Sequence, residues 1–145
     1  MKFYLKIVAG FLLFFNGVGA IYGGLNLIIF PSGGSLNLSV EYLKYSPFND
    51  YLIPGIILIA ANGLLSMYAF IAMLIDTKNH ALLIRVQGLI LTAWILIQSA
   101  MLHSVKLFHV SFGVAGLVLI ACGCLLQDEY NGKVKHGCRM LNSAT

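Results

Sequence analysis

The sequence predicts an all-α membrane protein: a four-helix up-down bundle with one long external loop that carries a short interfacial helix. Three observations lead there. Hydrophobic residues make up 59% of the chain and charged residues only 10%, against roughly 25% charged in a soluble globular protein. A chain of 145 residues has too small an interior to hide that much apolar surface, so lipid is the solvent that fits. The apolar residues also gather in four runs, each long enough to cross a hydrocarbon core as a helix of about 20 residues. Finally, lysine and arginine collect at one set of run ends, which fixes an orientation. Barrel strands are shorter and alternate in polarity, unlike these continuous runs.

The first run covers residues 3–30. Lys2 and Lys6 precede it as they would in a signal peptide, but the run is too long for such a segment. Gly19-Ala20-Ile21 is only a loose cleavage candidate, with aromatic Tyr22 directly after it. It is read as a retained first span, tilted or protruding to accommodate its length. Gly10, Gly17 and Gly24 recur every seven residues along it.

Pro31-Ser32-Gly33-Gly34 breaks the first helix and opens an external loop over residues 31–50. Leu36, Leu38, Val40 and Tyr42 alternate with polar residues as in a strand. A short interfacial helix is favoured over that lone strand, with Ser39 as cap and Glu41 and Lys44 placed to suit its dipole. Tyr42, Tyr45, Phe48 and Tyr51 then form an aromatic anchor at the outer surface. Pro47 stiffens the loop, Pro54 sits in the next helix's first turn where its missing N–H costs little, and Gly55 lets another backbone come close. This junction reads as an ordered entry to the second helix, or alternatively as a rigid recognition cap.

The remaining spans are 52–75, 81–102 and 107–126. The turns between them are too short to skip a neighbour, so these three helices pack antiparallel in sequence. Seven of the nine basic residues (Lys2, Lys6, Lys78, Arg85, Lys133, Lys135 and Arg139) fall on one side, leaving Lys44 and Lys106 on the other. The expectation is a multi-pass protein of a bacterial inner membrane with both termini in the cytoplasm. The basic tail, 127–145, is expected to lie disordered or along the inner headgroups. Residues 1–126 thus form one transmembrane domain.

Small residues mark the packing faces: Gly113, Gly116 and Gly123 on the fourth helix; Gly55, Asn62, Gly63 and Ser66 on the second. Close packing drives association between membrane helices, so these faces imply a tight bundle, or an oligomer contact centred on the fourth helix. Asn16, Asn62 and Trp94 fall within about one helical turn of a common depth. Gln98 lies one turn further out on the face of Trp94, and Tyr22 and Asn26 occupy the outer half of the first helix. Amides in hydrocarbon need partners. These residues are therefore either a structural hydrogen-bond network or an outer-half polar pocket, floored by Asn16 and Asn62, walled by Trp94 and Gln98, and covered by the loop.

Several function classes are argued against. No Asp or Glu lies deep in any run, as proton-coupled carriers, pumps and voltage sensors require. His103 and His109 flank one short turn without other signs of a haem pocket, and Cys122, Cys124 and Cys138 lack metal or redox spacing. No catalytic triad, zinc motif or phosphate loop is visible. Neither enzymatic activity nor a cofactor, a metal or a nucleic-acid partner is expected.

Pro31-Ser32-Gly33, followed by Ser46-Pro47-Phe48 and by Leu52-Ile53-Pro54-Gly55, together with Trp94 and Gln98, resembles a set of small bacterial integral membrane proteins. The resemblance implies the four-helix layout with one long outer loop, and implies no activity. A fainter likeness to DoxX-type four-helix proteins rests on layout alone. The leading expectation is an accessory or interaction subunit of a membrane assembly, partnering membrane lipids and another membrane protein or itself. The alternative is a binding or transport module for a lipid-like or other neutral small molecule.

Overall fold

The computed structural model describes residues 2–36, 38, 43–44, 47–102 and 107–142, and the side chains of these apart from 35, 101–102, 108 and 129–142. The chain is all-helical, with no strand among the described residues. Its main helices are α1 (Lys2–Ile29), α2 (Leu52–Leu74), α3 (His80–Leu102) and α4 (Leu107–Asn142). All four are long and apolar enough to cross a membrane, α4 through its His109–Asp128 stretch.

α1 packs most closely on α2, and α3 on α4, with sparser contact between the two pairs. Small residues make both close approaches possible. A Cβ on Gly55 would stand 2.9 Å from Leu27 Cβ and 3.0 Å from the Gly24 carbonyl oxygen, so α1 and α2 touch almost backbone to backbone there. Further inward, Gly10 and Gly17 face Met73 and Ser66 of α2. Across the other pair, a Cβ on Gly88 would meet the Gly116 carbonyl oxygen at 2.7 Å and the Ile120 nitrogen at 2.8 Å. Gly123 lies as close to Ala81 and Arg85, while Gly113 meets only Ile95, at 3.9 Å. Of the three α4 glycines that suggested an oligomer contact, Gly116 and Gly123 thus face α3 closely and Gly113 does not. Leu13, Ile84, Leu91 and Leu119 are the largest apolar side chains wholly buried between the helices.

The ends are stopped by identifiable devices. After α1, Pro31 cannot continue the helix and Gly33 takes a left-handed φ of 75°. Any Cβ at Gly33 would also meet the Leu38 carbonyl oxygen at 2.7 Å. The Gly33 carbonyl accepts from the amides of Leu36 and Leu38, and the Pro31 carbonyl accepts from Tyr51, which pins the far end of the loop. Asp50 Oδ1 accepts from the Leu52 amide at 3.0 Å and so caps the first turn of α2. The C-terminal end of α2 closes as a Schellman motif. There the amides of Asp76 and Thr77 donate to the carbonyls of Met73 and Ala72, and Asp76 holds the left-handed position at φ 54°. Lys6 Nζ of α1 reaches Asp76 Oδ1 at 2.7 Å.

Two features differ from the sequence expectations, and a third lies largely outside the described residues. The expected interfacial helix over Ser39–Lys44 falls largely on residues 39–42, outside the described residues; the described loop holds a 3-10 turn at Gly34–Leu36, and Leu43 is in 3-10 conformation as well. Phe48 and Tyr51 turn inward rather than forming a surface anchor: Tyr51 is buried and Phe48 half-buried. Tyr42 and Tyr45 lie outside the described residues. α4 does not give way to a disordered tail after Leu126 but continues as helix to Asn142. That segment contains no proline, and Gly132 and Gly137 each weaken a helix by about 1 kcal/mol without breaking it.

Candidate functional site

Two polar features lie along the line where the α1–α2 pair meets the α3–α4 pair. The deeper one is a quartet of neutral side chains. Asn16 Nδ2 donates to Ser66 Oγ at 2.8 Å and to the Asn62 carbonyl at 3.3 Å, and Gln87 Nε2 donates to Asn62 Oδ1 at 3.4 Å. Asn62, Ser66 and Gln87 are 0% exposed and Asn16 3%. Around Asn62 the backbone of α2 widens into a π-helical segment, Leu58–Leu64. Such segments are uncommon and concentrate at sites with a role beyond packing. Here the widened turn carries the carbonyl that accepts from Asn16 of the neighbouring helix.

The second feature is a cavity of about 70 Å³ near the other end of the same line. α1 contributes Leu27; the loop contributes Leu38, Leu43, Phe48 and Tyr51. Pro54 and Ile57 of α2 form another wall, and Trp94, Ile97 and Gln98 of α3 complete it. The loop is held over this space by its own small core, in which Leu27, Leu43 and Tyr51 are buried with Leu36, Leu38 and Leu58 against them. No charged residue lines the cavity among the described residues. Trp94 and Gln98 make no hydrogen bond among the described residues, so their N–H and amide groups remain available to a guest.

The residues expected to form one outer-half pocket therefore separate. Trp94 and Gln98 do line a loop-covered cavity, with Phe48 and Pro54 in it as well. Asn16 and Asn62 do not floor it; Leu27 and Ile57 stand there, and the two asparagines bond within the deeper quartet. Tyr22 and Asn26 join neither feature. Tyr22 is 67% exposed on the outside of the bundle, and Asn26 Nδ2 donates to the Tyr22 carbonyl of its own helix at 2.9 Å.

Gln87 is the member that sequence reasoning missed. Its signal was present: Gln87, Leu91, Trp94 and Gln98 form one stripe of alternating four- and three-residue steps along α3. Antiparallel α2 and α3 then bring Gln87 beside Asn62, deeper than a count from the middle of each run suggests. His103 lies outside the described residues, and His109 is buried within α4. Among the described residues no cluster of His, Cys, Asp or Glu could hold a metal ion.

Comparison with family models, with curated proteins and with solved structures finds no match. The fold and the site together define the class: an all-helical chain with four helices of membrane-crossing length and composition, enclosing a loop-covered apolar cavity.

Proposed function

We propose that this chain is a multi-pass protein of a bacterial inner membrane, both termini cytoplasmic, that binds a neutral lipid-like molecule in the outer cavity. The observation that supports it is the chemistry of the cavity wall: apolar groups from three helices and a loop, with Trp94 and Gln98 as uncommitted hydrogen-bonding groups. A guest with an apolar body gains about 0.8 kcal/mol per buried CH₂. A hydroxyl or carbonyl on its head can accept from Trp94 Nε1–H and exchange hydrogen bonds with Gln98. Charged heads find no counter-charge among the described lining residues and bear the cost of desolvation.

An accessory or interaction role stood first on sequence grounds. Most of the glycines that would carry it, Gly116 and Gly123 on α4 and Gly10, Gly17 and Gly24 on α1, are occupied inside the bundle, which moves the cavity ahead. One observation still favours the accessory reading: α4 runs about 14 residues, or roughly 21 Å, past the end of its apolar stretch at Asp128. A projecting helix of that length is a natural handle for a partner.

The test uses the single tryptophan of the chain, Trp94, as its own reporter. Purified protein in nanodiscs is titrated with a brominated fatty alcohol, a neutral amphiphile whose bromine atoms quench indole at contact. Saturable quenching, weakened when Gln98→Leu removes the polar contact, is the expected result. Quenching that rises only in proportion to partitioned probe, identical in Gln98→Leu, refutes the binding role. Co-purification of a stoichiometric membrane protein that is lost when residues 129–145 are removed would support the accessory reading instead.

A further inference from the structure

The quartet in the bundle interior leaves two atoms unsatisfied: Asn62 Nδ2, a donor, and Gln87 Oε1, an acceptor. Both side chains are wholly buried. They also belong to the two amides that already touch, through Gln87 Nε2 and Asn62 Oδ1 at 3.4 Å. Two primary amides meeting edge to edge make both of their bonds at once, each near 2.9 Å. In this pair the first bond is stretched to 3.4 Å and the second is not made, which leaves one donor and one acceptor without partners on two touching side chains.

We infer that this pair binds one water molecule, which accepts from Asn62 Nδ2 and donates to Gln87 Oε1. The chemistry of the two free atoms selects a neutral guest. An anion would meet the Gln87 carbonyl oxygen and a cation the Asn62 amide hydrogens, and neither ion has a counter-charge within the quartet. The guest must offer an acceptor and a donor from one small centre, because both side chains are enclosed on every side. Buried waters occur where protein polar groups lack partners, and hold them with two to four hydrogen bonds. Immobilising one water costs far less than leaving two amide atoms bare in an apolar interior. Neither Asn62 nor Gln87 lines the outer cavity, so this site stands or falls independently of a guest there.

Water-edited solid-state NMR on the full-length protein in proteoliposomes, with asparagine and glutamine side chains labelled with nitrogen-15, tests the assignment. Polarisation transfer from water to the Asn62 Nδ2 protons is expected to be several-fold faster than to the backbone amides of Leu13 and Leu119, which are equally buried. Gln87→Met keeps the side-chain length but removes the acceptor together with the Nε2 donor to Asn62 Oδ1, and should cut that transfer several-fold. Transfer to Asn62 no faster than to Leu13 and Leu119, with a cross-peak to Gln87 alone, would mean that the amides close on each other and would overturn the proposal. Fast transfer that Gln87→Met leaves unchanged would overturn the bridging role as well. The wild-type measurement decides the matter even if the variant does not fold.

Discussion

Replacing Gly88 by alanine puts the close crossing of α3 and α4 to a direct test. The added methyl would stand 2.7 Å from one backbone atom of α4 and 2.8 Å from another. Ordinary contact begins near 3.4 Å, so the helices must part by several tenths of an ångström, and neither obstacle is a side chain that can swing aside. Crowding of this kind costs about 1–3 kcal/mol. Alanine is also a better helix former than glycine by about 1 kcal/mol, which hides part of that cost. Gly19→Ala supplies the correction, because a Cβ at Gly19 meets nothing within 4 Å. The propensity gain is common to both variants and cancels in their difference. Gly88→Ala is therefore expected to be about 1–3 kcal/mol less stable than Gly19→Ala, measured by denaturant unfolding in the same mild detergent with helical circular dichroism as the signal. Equal stability of the two variants would refute the backbone-to-backbone crossing.

Other perturbations act at separate points of the fold. Asn16→Leu removes two interhelical hydrogen bonds and should destabilise the bundle by about 1–3 kcal/mol, at roughly 0.6–1.7 kcal/mol per bond. Asn26→Leu, which loses only a bond to its own helix, should change stability by under about 0.5 kcal/mol in the same unfolding assay. Gly33→Ala forces a Cβ into a left-handed position against Leu38, costing about 1–3 kcal/mol locally; a red shift of Trp94 emission as the loop lifts is the readout. The hydrogen bond and charge of Lys6 hold the Asp76 carboxyl below its ordinary value of 3.8. A lowered carboxyl pKa adds stability that is present above 3.8 and is lost as pH falls through the lowered value. The melting temperature should thus fall on acidification below that point, and Asp76→Asn should flatten that stretch of the profile.

The spans were legible because a single quantity, continuous apolar length, decides whether a helix can cross a bilayer. Expected boundaries such as 81–102 for α3 lie within a residue of the helix found at His80–Leu102. Breakers were equally plain: Pro31 with Gly33 ends α1, and Pro54 sits in the first turn of α2 as its ring geometry allows. The interior was less readable. Depth counted from the middle of each run grouped Asn16 and Asn62 with Trp94, yet hydrogen-bond partners are chosen by helix facing and crossing as well as by depth. The π segment at Leu58–Leu64 has no composition that marks it; its Asn62 carbonyl accepts from Asn16 of α1, a partner far away in sequence. The general habit of interfacial aromatics places Phe48 and Tyr51 outward, but Tyr51 is buried in the small loop core and Phe48 lines the cavity. Helix beyond Leu126 escaped because polarity marks where a membrane ends, not where a helix does.

The pairing of α1 with α2 and of α3 with α4 has a mechanical consequence. The molecule is two hairpins leaning together along a seam, with Trp94, Ile97 and Gln98 on one bank of the cavity and Leu27, Pro54 and Ile57 on the other. Whatever lodges there adheres to both banks at once. Its affinity is then also cohesion between the hairpins, so an occupied protein should resist being prised apart more strongly than an empty one, by RT ln(1 + [L]/Kd).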